Sequence, residues 1–405
     1  MNVLFLTDLF LPHAGGARIY YYNLYKNLVS LFPDCVRILT KTTPGWKEFD
    51  QQESSNSLRI IRRGRPMQNW KYYQWPRILG PVMQAVRHTR SFKPDLVHFG
   101  DLCPPGIVSL CLRSMFGIPY LAYCHGDENS QVDGRRFQPL VRDRIYRDAS
   151  AVVAANEFAR QGLLRIGIPE ERIHKITPGV DTERFCPTPP NPQLAEQFSL
   201  SRNKVLFTAA RLVPKKGLGT ILRAVAKIQR SIPNLRYLIA GEGPERGKLE
   251  TLTRELGLSE TVTFLGDVSN EKLPQFYNLC DVFVMANRMA ADGDIETFGM
   301  VFIEANAAGK PVVAGRSGGA AEAVVHGSTG LIVDPENVDE LADALMILLV
   351  NNDLREKLGS NGLRRAQIDF NWRSRAEALR QISEAIVTRR APGERGSTGV
   401  LASRD

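Results

Sequence analysis

Short apolar runs alternate with longer amphipathic stretches along the chain, and turn residues separate them. In the first half Val3 to Thr7, Val36 to Thr40, Ser57 to Arg62, Asp95 to His98, Gly117 to Glu128, Ala151 to Ala155 and Ile173 to Thr177 read as strands. Ile19 to Leu31, Pro104 to Phe116 and Glu157 to Ile166 read as helices, and residues 42–57, with Pro44 and Gly45, as a loop. A proline-dense stretch from Pro178 to Pro192 reads as a linker, which puts a domain boundary at about 185–200. The alternation then restarts, with strands at Lys204 to Ala209, Leu235 to Ala240, Val262 to Leu265, Val282 to Met285, around Val312-Val313 and at Leu331 to Pro335. Helices follow at about 338–351, 353–369 and 373–389. Two strand–helix arrays predict an α/β protein of two doubly wound, Rossmann-like domains, 1–185 and 186–370, whose strand ends face a shared ligand cleft. Residues 390–405, rich in Gly, Ser and Arg, are predicted to be disordered.

The stretch from Asp292 to Val325 carries the densest candidate chemistry. Glu296 and Glu304 stand seven residues apart, with a helix start between them. Positions eight apart in one helix differ by roughly 80° in heading, so both acids reach one site only if Glu296 precedes the helix. Thr297 is suited to cap that helix, leaving the amides of Phe298, Gly299 and Met300 as free donors for a phosphate. A phosphate flanked by two hydrogen-bonding acids suits a sugar nucleotide. Two exposed acids on a surface helix are the alternative. Asp292-Gly-Asp294 spells a metal-binding triplet, which we read as chance.

Further candidates sit at other strand ends. Gly15 and Gly16 follow the first strand and let the backbone approach a ligand, or simply make a tight turn. His125, followed by Gly126, Asp127 and Glu128, ends a buried strand. Arg211 and Lys216, in RLVPKKG, are two cations able to neutralise a pyrophosphate leaving group. Gly241 closes another strand, and the loop opening at Gly266-Asp267-Val268 is a candidate contact for a nucleobase.

Charge and composition narrow the class. With 405 residues, 43% apolar and 23% charged, the chain is of ordinary globular composition. The six cysteines are scattered without metal-ligand spacing and read as reduced thiols of a cytosolic protein. The opening MNVLFLTDLFLP reads as a buried strand rather than a leader, and no run is long enough to span a bilayer. Residues 1–180 hold 24 Lys and Arg against 15 Asp and Glu, while the rest of the chain is neutral, so the whole excess lies in the first half. It clusters at Arg59, Arg62, Arg63 and Arg65, at Arg87 and Arg90, and from Arg135 to Arg147. Trp70, Tyr72, Tyr73 and Trp75 crowd beside it. This points to peripheral contact with an anionic membrane ahead of nucleic acid, the alternative being a solvated face.

These residues together resemble family 4 glycosyltransferases of the GT-B fold, over nearly the whole chain. Glu296 and Glu304 match the family's paired acids, Arg211 and Lys216 its phosphate-binding cations, Gly15 and Gly16 its glycine loop, and His125 a strand-end histidine near the transferred sugar. Phe370 and Trp372 precede a helix that in the family crosses back onto the N-terminal domain. SGGAAEAV and ETFGMVFIEA look most similar to the phosphatidylinositol mannosyltransferases; Pro178 in TPGVD departs from the family's usual Asn. The resemblance implies a retaining hexosyltransferase, mannose or glucose type, working without cofactor or metal. It would use a nucleotide-diphosphate sugar, with GDP-mannose and UDP-sugars as candidates, and a lipid-linked or polysaccharide-precursor acceptor. Glu304 would meet the ribose, Glu296 and the amides of Phe298 to Met300 the sugar and distal phosphate, with Thr297 beside them, and Gly241 and Val268 the nucleotide. A cytoplasmic location, peripheral at the inner membrane face, goes with this reading. The rival readings are a GT-B sugar-nucleotide epimerase and a non-catalytic basic scaffold.

Overall fold

A computed structural model describes residues 1–12, 15–64, 78–126, 137–200, 202–291 and 293–389. The aromatic group Trp70 to Trp75, Arg65, Asp127, Glu128, Arg135, Arg136, Asp292 and the tail 390–405 lie outside the described residues.

Seven parallel strands form the first sheet: β1 (Asn2–Leu6), β2 (Cys35–Thr40), β3 (Leu58–Arg62), β4 (Leu96–Phe99), β5 (Tyr120–Cys124), β6 (Ala151–Ala154) and β7 (Ile173–Lys175). Their order is β3-β2-β1-β4-β5-β6-β7. The helices between them are α1 (Gly16–Leu31), α2 (Trp46–Glu53), α3 (Leu79–Phe92), α4 (Ile107–Phe116), α5 (Phe137–Asp148) and α6 (Glu157–Arg165). The second sheet holds six strands, β8 (Lys204–Ala209), β9 (Leu235–Ala240), β10 (Val262–Gly266), β11 (Val282–Met285), β12 (Val312–Gly315) and β13 (Gly330–Val333), in the order β10-β9-β8-β11-β12-β13. With it go α7 (Pro192–Gln197), α8 (Leu218–Ile228), α9 (Arg246–Glu255), α10 (Leu273–Leu279), α11 (Met300–Ala307), α12 (Ala320–Ala323), α13 (Val338–Val350), α14 (Asn352–Asp369) and α15 (Trp372–Arg389).

Helices cover both faces of each sheet, so the central strands have no polar side. AVVA in β6 and VFVM in β11 are buried at every position. Asparagines begin several helices: the side chains of Asn156, Asn337 and Asn351 accept backbone N–H groups at the starts of α6, α13 and α14. Each sheet reverses strand order once, between β1 and β4 and between β8 and β11. Crevices at such reversals, outside the carboxyl ends of the strands, are where doubly wound sheets hold ligands.

Two local expectations are corrected. Residues 42–57 contain a helix, α2, where a loop was expected: Pro44 and Gly45, the latter at φ +73°, lead into it rather than ending order. Phe49 on α2 packs against Tyr22 with ring centroids 5.6 Å apart, and Asp50 pairs with Arg62 at 2.8 Å. The proline-dense stretch also turns helical at its end, because Pro192 occupies the first position of α7 and the Asn191 side chain caps it.

The last helix returns to the first sheet. Trp372, Ala376 and Leu379 of α15 are buried in one core with Val3, Phe5 and Tyr20. Arg380 reaches the fully buried Asp34 at 2.7 Å, an acid also 3.0 Å from the N-terminal ammonium. Where the chain crosses between halves, the Val180 N–H donates to Phe370 O at 2.7 Å. Gly179 lies so close that a Cβ there would sit 2.7 Å from the same oxygen. Trp372→Ala should therefore cost about 3–5 kcal/mol, the range for emptying a large aromatic site. The urea midpoint reports this, and a midpoint equal to wild type would mean that α15 contributes little to the first core.

Candidate functional site

The carboxyl end of β8 leads into a tight turn, Pro214–Lys216, before α8. Gly217 closes the turn at φ +66°, and a Cβ there would fall 1.9 Å from Ala286 O, just past β11. Only glycine lets these two strand ends approach so closely. The turn thereby presents two ammonium groups to the loop after β11. Lys215 Nζ donates to Asp294 Oδ1 at 2.9 Å and to Ile295 O at 3.2 Å. Lys216 Nζ pairs with Glu296 Oε2, the two side chains being 13% and 15% exposed. Burial pushes the Glu296 carboxyl up, but Lys216, Lys215 and the Phe298 N–H together outweigh it and hold the carboxyl below its ordinary range.

The loop carrying Glu296 is braced from behind by the loop after β12. The Gly319 N–H donates to Glu296 O at 2.9 Å. A Cβ on Gly318 would sit 2.0 Å from that oxygen, and one on Gly319 would sit 1.9 Å from Thr297 O. The fully buried Asn287 ties the same region together, its Oδ1 accepting from the Gly315 N–H at 3.1 Å and its Nδ2 donating to Ser317 O at 2.8 Å.

The helix start differs from the expectation. Thr297 is not the cap: Gly299 is, at φ +83°, with no side-chain cap, and α11 begins at Met300. Phe298 does not offer a free amide, because Glu296 already takes it as a hydrogen bond. The phenyl ring of Phe298 is 4% exposed, so apolar burial rather than a threonine cap decides where the helix starts. The cap thus moves two residues along, from Thr297 to Gly299. Glu304 lies on α11 as expected and is 9% exposed. Its Oε2 accepts from the Tyr277 hydroxyl at 2.8 Å. Burial raises the Glu304 carboxyl above its ordinary value, and Tyr277 and Arg184 only partly offset it.

Across the cleft, the first half brings its own strand ends to this loop. Gly15 caps α1, and a Cβ on Gly16 would lie 3.9 Å from Met300 Sδ. Gly126, just after β5, has φ +104°, and its Cβ would lie 3.4 Å from Thr297 Cγ2. His125 is therefore adjacent to the Glu296–Met300 loop. Its Nε2 is 2.7 Å from the Tyr21 hydroxyl oxygen. Tyr21 spends its one proton on Gly100 O at 2.7 Å, so His125 Nε2–H is the donor and the neutral ring is the Nε2-protonated tautomer. Burial pushes the imidazole down to about 4. Glu322 of α12 clasps the two halves: its Oε1 accepts the Glu157 N–H at the start of α6 at 2.6 Å, and its Oε2 is 3.4 Å from Lys175 Nζ.

Arg211 follows β8 at the surface of the same strand-end region and makes no ion pair among the described residues. Gly241, at φ +126°, would put a Cβ 1.9 Å from Ala210 O, which fixes it as a packing glycine of the β8–β9 edge. Val268 packs partly buried against the core that contains Tyr277. Sequence reasoning missed Tyr277, Lys215, Asp294 and Arg18. Arg18 stands in the first turn of α1 beside Gly15 and is drawn to the half-buried Asp101. A cation two residues after a glycine pair was the available signal for it; nothing in LPQFYNL marks Tyr277. Among the described residues, no group of three or more His, Cys, Asp or Glu could hold a metal, and no helix is long and apolar enough to cross a membrane.

Comparison with known proteins agrees with this arrangement. The family described as Glycosyltransferase Family 4 matches residues 14–184, and that described as Glycosyl transferases group 1 matches residues 192–365. A GDP-mannose-dependent alpha-(1-6)-phosphatidylinositol monomannoside mannosyltransferase of Mycobacterium tuberculosis is 31% identical over 93% of this chain and 97% of its own. A D-inositol 3-phosphate glycosyltransferase of Nocardia farcinica is 32% identical over 92% of this chain and 85% of its own. The structure of sucrose-phosphate synthase from Thermosynechococcus elongatus superposes with a TM-score of 0.78 at 26% identity, covering 96% of this chain and all of that one. With both halves matched and the two facing sheets of a GT-B fold, the chain belongs to the family 4, group 1 glycosyltransferases.

Proposed function

We propose that this protein is a hexosyltransferase, with GDP-mannose the first donor to test and a UDP-sugar the second. The proposed acceptor is a hydroxyl on a lipid-linked or saccharide molecule. The observation that carries the reading is the Lys216–Glu296 pair set opposite the glycine start of α1, a charged anchor where a diphosphate and a sugar would meet. Relatives named for a GDP-mannose donor support the choice of donor. Relatives named for phosphatidylinositol monomannoside and D-inositol 3-phosphate support a phosphorylated acceptor.

In this reading the nucleotide lies on the second half, with Glu304 and Tyr277 beside the ribose and Gly241 and Val268 lining its path. Arg211 and Lys216 stabilise the charge that builds on the departing phosphate, the role a divalent metal would otherwise fill. The bond from the anomeric carbon to phosphate oxygen breaks. The acceptor oxygen bonds to the same face, so configuration is retained, and its proton passes to the leaving phosphate. His125 orients the sugar and is not the base: its Nε2 proton is committed to Tyr21. Closure of the cleft excludes water, the competing acceptor.

Peripheral membrane contact at the cytosolic face extends the proposal. Arg37 and Arg59 are register partners on β2 and β3, like charges side by side. On α3, Leu79 and Met83 are 65% and 71% exposed and share a helix side with Arg87 and Arg90. A cationic face with protruding apolar side chains suits an anionic lipid surface.

The donor reading is tested by thermal shift with GDP, UDP and ADP and their sugar conjugates. One diphosphate should raise the midpoint, and Glu304→Ala should abolish the shift; no shift with any of them ends the transferase reading. Lys216→Ala and Arg211→Ala should each lower kcat about 10²–10³-fold, more than they weaken donor affinity. Turnover should survive EDTA, and loss of activity restored by Mg²⁺ would overturn the cation argument. Because His125 stays neutral down to about 4, kcat/KM should show no histidine inflection between pH 5.5 and 8. Folding stability should decline as pH falls below the ordinary 6.5, since the unfolded chain takes a proton that folded His125 refuses. A His125-dependent inflection near neutrality would restore the base role. Sedimentation with anionic vesicles should be salt-sensitive and weakened by Met83→Glu.

A further inference from the structure

Three consecutive residues at the start of α6 each touch the transfer site or its partner half. Asn156 Nδ2 donates to His125 O at 2.8 Å, while Asn156 Oδ1 accepts the Ala159 N–H at 2.7 Å and caps the helix. The Glu157 N–H donates across the cleft to Glu322 Oε1 at 2.6 Å. The Phe158 ring backs Gly126, where a Cβ would fall 2.9 Å from it. The His125 carbonyl therefore hangs from Asn156, and the residue after it leans on Phe158. Tyr20 and Tyr21 enclose the imidazole with ring centroids 5.3 and 5.2 Å away. Where His125 stands is thus set by where the first turn of α6 stands.

The Glu157 N–H is one of the donors that a helix cannot satisfy from within. Its acceptor comes from the other half of the protein, and a carboxylate at a helix start is favoured by both charge and hydrogen bonding. Glu322 is itself firmly part of the second half. Arg365 of α14 donates to Glu322 O and to Ala323 O, both at 2.7 Å. Three residues earlier the Gly319 N–H holds Glu296 O at 2.9 Å. One short segment, 319–323, therefore grips the Glu296 loop by its backbone and α6 by a side chain. Lys175, 42% exposed, stands 3.4 Å from both Glu157 Oε2 and Glu322 Oε2. A pair that open to water adds little, so the buried end of Glu322 carries the contact.

We propose that Glu322 and Asn156 are positioning residues for the transfer, acting as one unit through the first turn of α6 to set His125 against the Glu296–Met300 loop. The inference rests on the transferase reading above. Neither residue touches the reacting atoms. Any shift of the second half moves Glu322, with it the start of α6, and through Asn156 the His125 carbonyl. The acid that holds the sugar and the imidazole that orients it thereby keep one register, although they belong to different halves. A misplacement of about 1 Å in such a register can lower a rate by about 10²-fold. The nucleotide, by contrast, is held within the second half by Glu304 and the cations. Loss of register therefore lowers turnover and leaves donor affinity in place.

The test uses the full chain as wild type, Glu322→Ala, Glu322→Gln, Asn156→Ser and the double variant Glu322→Ala with Asn156→Ser. Glutamine keeps an oxygen for the Glu157 N–H. Serine still caps α6 but is too short to reach His125 O. A thermal shift with GDP shows that each variant is folded with its donor site intact. Hydrogen exchange of the peptide 151–165 reads the contact itself, and Glu322→Ala should speed exchange at the start of α6 about tenfold. Turnover is read as GDP release from GDP-mannose with phosphatidylinositol vesicles present. Glu322→Ala and Asn156→Ser should each lower kcat about tenfold with the donor KM within about twofold of wild type. Glu322→Gln should recover most of the rate, and the double variant should be no slower than either single one, as for two links of one unit. Exchange at the wild-type rate in Glu322→Ala overturns the proposal, as do unchanged kcat values or losses that multiply in the double variant. A wild-type chain that neither binds GDP nor releases it ends the transferase reading and this proposal with it, whereas an active wild type matched by its variants ends the proposal alone.

Discussion

An ammonium and a carboxylate, Lys216 and Glu296, are held largely out of solvent where the two halves of this protein meet. Removing charges from water costs several kcal/mol each unless partners compensate, and here the partners are numerous. Lys215 adds a second positive charge, the Phe298 N–H donates to the acid, and the Gly319 N–H pins the carbonyl of the same residue. The arrangement holds the acid ionised and aimed. A diphosphate arriving there would find the cost of ordering these groups already met by the fold, which is what preorganised electrostatics means.

Backbone proximity is the second constraint. Gly217, Gly241, Gly318 and Gly319 each lie where a methyl group would strike a carbonyl oxygen at 1.9–2.0 Å. They let β8, β9, β11 and β12 end within one small volume, so that side chains from four different strand ends converge. The glycines therefore act through close packing of the main chain, and the polar side chains act only because that packing brings them together.

Much of this was legible in the sequence, for physical reasons that also mark the limits. Runs such as AVVA and VFVM are buried on both faces, so they announce parallel strands without periodicity. The spacing of Glu296 and Glu304 forces one acid off the helix, and that holds in the structure. The position of the helix start was misread because Thr297 looks like a cap, whereas Phe298 is buried and the loop runs two residues further, to Gly299. Helix α2 was missed because Pro44-Gly45 reads as a breaker when it is a lead-in. Tyr277 was illegible: it reaches Glu304 from a helix 27 positions away, and a tyrosine in an apolar turn reads as core.

The return of α15 to the first sheet has a consequence for how the chain is made. Trp372, Ala376 and Leu379 complete a core whose other members, Val3, Phe5 and Tyr20, are translated long before them. The half that emerges first must wait, with part of its apolar interior uncovered, until α15 has been translated. The second half is under no such delay. Synthesis order and folding order are thereby opposed, and the first sheet becomes the natural client of any factor that shelters nascent chains.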